Sequence, residues 1–306
     1  MKILVTGGCG FIGSHIVDDL INMGNDIVVI DNLSTGKIEN LNNKATFYNI
    51  DIHSDEMERI FEKERPQVVY HKAAQINVQQ SIKEPDFDAH VNITGTIKVL
   101  ECIYKYKVDK IIYASSAAAY GTPKYLPIDE SHEKSPISFY GISKYIPEYY
   151  IDVFSKLYGF KYTILRYANV YGIRQDPKGE GGVVPIFMGI LDGGKSPHIF
   201  GNGEQIRDFI YVKDVSSANI AVLNSGDNEI FNVSTGEGTS INTLLKEMNA
   251  IYNKNIYAVY EDKRKGDIFE SVLSSDKLKS ETDWKPRYSL NQGLEEVIRY
   301  YNLRNA

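Results

Sequence analysis

Cysteine is scarce. Cys9 and Cys102 are the only two in 306 residues. Two are too few for a disulfide framework and each sits in an apolar pattern, so a reducing, cytoplasmic compartment is expected. A basic excess is missing too. The formal net charge is −6, which argues against a nucleic-acid partner, because that calls for a basic face. No apolar run reaches the ~18 residues of a membrane span, so no membrane partner is expected. The opening MKILVTGG reads as a strand running into glycines, without the apolar region or cleavage site of a signal peptide. Internal repeats, low-complexity tracts and a metal site are not expected either. What remains is the composition of a globular protein, long enough for one large domain or two of moderate size.

Short apolar runs alternate with helical patterns through the first half. KILVTGG leads into GFIGSHIVDDLINMGN, where Ile12, Ile16, Leu20 and Met23 recur at helical spacing. DIVVIDN, ATFYNIDI, the helical DEMERIFEKER and PQVVYHKAA follow. Further helices are expected from about Ala89 to Tyr106 and from Tyr140 to Leu157, each before another apolar run, KIIYASS and YTILRYANVYG. This order predicts an α/β fold, a Rossmann-type doubly wound parallel sheet with helices on both faces. Ligands of such sheets lie beyond the carboxyl ends of the strands. Residues 172–206 read as loop-rich, and the part beyond as a smaller C-terminal α+β substrate domain. The expected division is 1–168 and 169–306, with segments near 207–235 and 268–275 crossing back. Pro147, inside a helical pattern, is expected to kink or loosen it.

Three stretches carry chemistry. In TGGCGFIGSH, Gly7, Gly10 and Gly13 stand between a strand and a helix. Glycines there let the backbone turn tightly and approach a pyrophosphate at the helix N-terminus. Asp31, at the end of the second strand, suits ribose hydroxyls and repels a 2′-phosphate, which favours NAD over NADP. Asp51 is expected to close the third strand. In SFYGISK, Tyr140 and Lys144 share one helical face. A phenol is a poor base, but a nearby ammonium and an oxidised nicotinamide both favour the phenolate. In SSAAAYG, Ser116 is placed to bond a substrate hydroxyl, whereas Ser115 reads as a strand-end partner of the backbone.

Taken together, TGGCGFIGSH, IDNLSTG, HKAAQ, SSAAAYG, YGISK, LRYANVYG, GNGEQIRDFIYVKDV, RKGD and TDWKPRYSLNQGLEEVI resemble the extended short-chain dehydrogenase/reductase family over nearly the whole chain. Within it they resemble the UDP-glucose (UDP-galactose) 4-epimerases and close nucleotide-sugar epimerases. The resemblance implies a recycled NAD, with Gly7, Gly10, Phe11, Ile12 and Gly13 at the pyrophosphate. It implies Asp31, Asn32, Ser34, Thr35 and Gly36 around the adenosine ribose, and Asp51 and Ile52 at the adenine. Ala73, Ala74, Gln75 and Asn92 would line the path to the nicotinamide, with Tyr167 beside it. Ser116, Tyr140 and Lys144 match the catalytic trio. Asn169, Val183, Phe200, Arg207, Arg264 and Asp267 match positions that grip UDP. The resemblance also implies a homodimer, paired through the helices at about 89–106 and after Tyr140.

Departures from the family pattern narrow the reading. Lys72 stands where the family has an apolar or aromatic residue. Ser271 is small where epimerases restricted to unacetylated sugars carry tyrosine, so UDP-GlcNAc and UDP-GalNAc are expected to fit beside UDP-glucose and UDP-galactose. Ala117 and Ala118 lack the Asp-Glu pair of dehydratases and the glutamate of decarboxylases, and elimination needs such an acid and base. A UDP-glucuronate 4-epimerase or decarboxylase is the alternative on the same scaffold. A non-catalytic NAD-binding scaffold or sensor is the alternative of another class.

Overall fold

Strands that are apolar on both faces build the centre of the molecule. The computed structural model describes residues 1–176, 182–263 and 268–305. Strands β1 (Lys2–Thr6), β2 (Asp26–Ile30), β3 (Thr46–Tyr48), β4 (Val68–His71), β5 (Lys110–Ser116) and β6 (Lys161–Tyr167) come in chain order. Between and after them run helices α1 (Phe11–Asn22), α2 (Glu56–Glu64), α3 (Val78–Lys83), α4 (Pro85–Ala89), α5 (Gly95–Lys105) and α6 (Phe139–Tyr158). The second half adds β7 (Asn169–Tyr171), α7 (Val183–Asp192), β8 (His198–Phe200), β9 (Ile206–Tyr211), α8 (Val212–Ala221) and β10 (Glu229–Val233). The chain continues with β11 (Gly238–Ser240), α9 (Ile241–Tyr252), β12 (Val259–Glu261), β13 (Glu270–Ser271), α10 (Asp276–Glu281) and α11 (Leu290–Asn305).

Seven strands form one parallel sheet in the order β10-β6-β5-β4-β1-β2-β3. Along β1 the side chains alternate. Ile3 and Val5 pack under α1 and α8, with Ile16, Leu20, Val215 and Ala218. Leu4 packs on the other side against α2 and α5, with Met57, Phe61, Val99 and Ile103. Each buried aliphatic side chain contributes about 1.5–3 kcal/mol, so both layers are needed to hold a sheet with no solvated face. This is the expected Rossmann-type doubly wound architecture. A third apolar cluster joins Val184, Phe187 and Leu191 of α7 to Phe209, Tyr211, Leu244, Met248 and Leu294.

Register aligns the strand ends. Thr6 pairs with Ile30 and with His71, and His71 with Tyr113. The residues that follow, Gly7, Asp31 and Lys72, therefore emerge on one edge. Ser116 pairs with Tyr167 further along it.

Several expectations need correction. The third strand ends at Tyr48, and Asp51 lies in the turn beyond it. Residues 172–206 contain helix α7, whose uniformly apolar VVPIFMGILD hides the helical period; Pro185 is tolerated in its first turn. Pro147 lies inside helix α6 and does not end it; the helix spans 20 residues. The missing N–H removes a single bond, and Glu148 is anchored from outside the helix as described below.

Candidate active site

The glycine loop has the shape of an anion cradle. Gly7 adopts φ +69°, and a Cβ there would lie 2.7 Å from the Ala73 nitrogen. A Cβ on Gly13 would lie 2.1 Å from the Gly7 carbonyl oxygen. Helix α1 starts at Gly10 without a side-chain cap, so its first amides stay available to an anion and reinforce the partial positive charge of the helix end. Asp31 braces this loop: its carboxylate accepts from the amides of Cys9 at 2.9 Å and Leu33 at 2.8 Å. Its pKa is raised by burial, against the lowering effect of those amides. Gly36 passes so close that a Cβ would lie 2.7 Å from Asp31 Oδ1. Asn32, Ser34 and Thr35 are exposed beside it. Asn32 donates to Asp51 at 2.7 Å, and Asp51 also accepts from the ring and amide of His53. Ile52 is buried next to it. These residues fit a dinucleotide: a backbone cradle for phosphates, and carboxylates with flanking amides for ribose and base.

The strand edge beyond β4 is held by a neutral histidine. Thr96 donates to the Asn92 carbonyl at 2.6 Å, so it accepts from His71 Nε2 at 3.0 Å. His71 Nδ1 then accepts from Thr6 at 2.7 Å, and Thr6 Oγ1 accepts from the amides of Lys72 and Ala73, both at 3.2 Å. Burial, with Lys144 and Lys72 nearby, pushes the His71 pKa down to about 3. Asn92 ties this edge to α6. Its side chain accepts from the Gln75 amide at 2.8 Å and donates to the Gln75 carbonyl at 3.0 Å and to Ser143 at 2.9 Å. Asp88 sits beneath, accepting from Gln75 at 2.6 Å, and its second oxygen is buried without a hydrogen-bond partner. Ala73 and Ala74 stay partly open.

Ser116, Tyr140 and Lys144 meet at this edge. Ser116 ends β5 and caps the turn Ala117–Ala119 by accepting from the Ala118 amide at 3.2 Å. Its hydroxyl lies close enough to the Tyr140 phenol to oppose the rise that burial gives it. Ser138 caps α6, which places Tyr140 in the first turn and Lys144 one turn later. Gly141 permits the contact between α6 and the alanine turn, since a Cβ there would lie 2.6 Å from the Ala118 oxygen. Lys144 is buried, its ammonium 4.6 Å from the centre of the Tyr113 ring. Burial pushes its pKa down to about 7, against the pull of Asp88 and Glu148. The phenol of Tyr140 is raised by burial, with Ser116 opposing and Asp88 reinforcing. In the protein alone, then, desolvation sets the direction of the Tyr140 shift.

Beneath the trio lies a network that sequence reasoning missed. Glu148 accepts from Arg166 at 2.5 and 3.0 Å and from Ser115 at 2.5 Å. Arg166 also donates to Tyr120 at 2.9 Å, and Tyr120 donates to Asn232 at 2.7 Å. Ser115 is therefore a partner of a buried carboxylate as well as of the backbone. The spacing shows only that Glu148 lies four residues after Lys144, on the same helical face; its partner Arg166 is 18 residues on.

Of the expected UDP-gripping residues, Arg207 lies on β9 and Asn169 on the neighbouring β7. Arg207 pairs in register with Ser271 of β13, and Asn169 of β7 with Phe209. The Arg207 guanidinium donates to the Ile206 carbonyl at 2.8 Å. Phe200 ends β8, and Val183 opens α7. Arg264 and Asp267 lie outside the described residues.

The sequence and the fold have close counterparts. Residues 3–234 match the model of the NAD dependent epimerase/dehydratase family. The crystal structure of UDP-glucose 4-epimerase with UDP-glucose from Thermotoga maritima is 48% identical, with a TM-score of 0.98 and 100% of each chain covered. The UDP-glucose 4-epimerase of Thermus thermophilus in complex with NAD is 38% identical, with a TM-score of 0.94 and 99% of each chain covered. The UDP-N-acetylglucosamine 4-epimerase of Methanobrevibacter ruminantium is 37% identical, with a TM-score of 0.94 over 99% of this chain and 98% of that one.

Proposed function

The chain belongs to the NAD dependent epimerase/dehydratase family, and from that premise we propose that it inverts UDP-hexoses at C4. Its substrates are UDP-glucose and UDP-galactose, as in galactose metabolism, and it admits UDP-GlcNAc and UDP-GalNAc. The observation that carries this reading is the meeting of Ser116, Tyr140 and Lys144 on the strand edge that also bears the glycine cradle, beside a turn whose Ala117 and Ala118 offer no acid or base for elimination.

NAD, when bound by the residues expected above, would supply reversible hydride storage. Tyr140 as phenolate takes the proton of the sugar 4-OH, and Ser116 hydrogen-bonds that sugar oxygen and shares in the transfer. Burial raises the phenol in the protein alone, so the phenolate depends on cations: the Lys144 ammonium and the positive ring of the oxidised cofactor. Arg207 and Arg264 hold the diphosphate by charge-assisted contacts while the 4-keto sugar turns over. Phe200 offers a face to the uracil, Asp267 accepts from its ribose, and Asn169 and Val183 close the same end. Tyr140 then returns the proton to the inverted sugar.

The chain divides into an NAD-binding part, 1–168, and a UDP-sugar part, 169–306. The protein pairs as a homodimer through α5 and α6, where Ile142, Tyr149, Val153 and Leu157 are exposed and Tyr104 stacks on Tyr158 at 3.8 Å. Two free, buried cysteines fit a cytoplasmic setting; among the described residues no helix is long and apolar enough to cross a membrane.

The test is a panel of UDP-glucose, UDP-GlcNAc, UDP-glucuronate and their 4-epimers with products separated and identified. Interconversion of the neutral pairs supports the reading. Turnover of the glucuronate pair alone, loss of carbon dioxide, dehydration, or no reaction with dinucleotide bound would each overturn it.

A further inference from the structure

One cation at the strand edge has no part in that chemistry. Lys72 directly follows β4. Its ammonium donates to the Tyr167 hydroxyl at 3.1 Å and lies 3.4 Å from the Ile112 carbonyl oxygen. It stands 5.6 Å from the ring centres of Tyr70 and of Tyr167. The Tyr167 hydroxyl is held in turn by Asn219 of α8. The titratable groups around Lys72 are thus Tyr70 and the neutral His71 on β4, Tyr167 on β6 and Lys144 on α6. Among the described residues, Lys144 is the charge that acts on it, and it repels. Burial and that repulsion lower its pKa well below the ordinary lysine range. This ammonium therefore has neutral oxygens for partners and no carboxylate, on the edge where Gly7 packs against Ala73.

Resting on the reading above, which puts the nicotinamide end beside Tyr167, we propose that Lys72 sets the redox poise of the bound dinucleotide. An oxidised nicotinamide is cationic and a reduced one is neutral. An uncompensated ammonium at this edge opposes the oxidised form and favours the reduced one. By linkage, removing the ring's positive charge draws a proton onto Lys72. Reduction of the ring consumes two electrons and one proton. Where the Lys72 amine is neutral in the oxidised complex, reduction consumes a second proton, bound at Nζ. The same poise governs how much reduced cofactor and keto sugar coexist on the protein during turnover.

The experiment is a redox titration of the NAD-loaded full chain without any sugar, using a chemical reductant and mediators, from neutral to alkaline pH. Parent, K72M and K72Q are compared. The parent is expected to take up more than one proton per two electrons over part of that range, and more than either variant there, the variants keeping only the uptake that belongs to Tyr140 and Lys144. At a fixed reductant potential at neutral pH the variants should show a reduced-to-oxidised ratio lower by on the order of tenfold. One proton across the whole range in the parent would overturn the proposal without reference to any variant. Equal ratios in the parent and in whichever variant folds would overturn it as well. A chain that binds no dinucleotide would instead bring down the proposed function, a failure visible before any titration begins.

Discussion

Replacing Lys144 by methionine is expected to stabilise the dinucleotide-free protein while abolishing turnover. Folding drives the Lys144 pKa from 10.5 down to about 7. At 1.36 kcal/mol per unit, holding the ammonium in the fold costs about 5 kcal/mol at and below pH 7. The sign follows from proton counts. Between pH 7 and 10.5 the unfolded chain binds more protons than the folded one, so stability rises with pH across that window. Methionine keeps most of the stem but forfeits the contact with the Tyr113 ring, worth about 1 kcal/mol. It also leaves Asp88 without its cation, whereas Glu148 keeps Arg166. The net gain near pH 6 should be about 2–4 kcal/mol and should vanish near pH 10.5. Urea unfolding followed by the fluorescence of the single, buried Trp284 at three pH values reads this directly. A variant less stable than the parent at pH 6, or a difference independent of pH, would refute the assignment of Lys144 as a strained, desolvated cation.

Four other outcomes follow from the same geometry. Tyr140→Phe should lower kcat by about 100- to 10,000-fold while calorimetry still detects UDP-sugar binding. Glu148→Ala should destabilise the protein by about 3–5 kcal/mol in urea, because it strands the buried Arg166. Gly13→Ala should abolish NAD binding in a fluorescence titration, since its Cβ would meet the Gly7 oxygen at 2.1 Å. Ser271→Tyr should cut kcat/KM for UDP-GalNAc by about tenfold or more and spare UDP-galactose; equal effects on both sugars would remove Ser271 from the acetamido pocket.

The sheet was legible because its strands are buried on both faces and read as short apolar runs between helical periods. The placing of the candidate trio was legible because a helix fixes Tyr140 and Lys144 four residues apart and a strand end carries Ser116. What stayed hidden depends on contacts distant in sequence. Nothing local to Glu148 announces Arg166, 18 residues on, and nothing in HKAA shows that the Lys72 amine reaches Tyr167. Helix α7 was obscured by composition, since its exposed face carries Ile186 and Gly189 rather than charged residues to mark its period. The burial that raises the Tyr140 phenol could not be read from the spacing, because it is a property of the assembled layers.

The most direct measurement is conversion of UDP-galactose by the NAD-loaded protein in deuterium oxide, followed by NMR of the product. The account predicts UDP-glucose with its original hydrogen at C4 and no net accumulation of reduced cofactor, because the hydride leaves and returns without meeting solvent. Deuterium at C4, or a bound dinucleotide with no epimer formed, would contradict it.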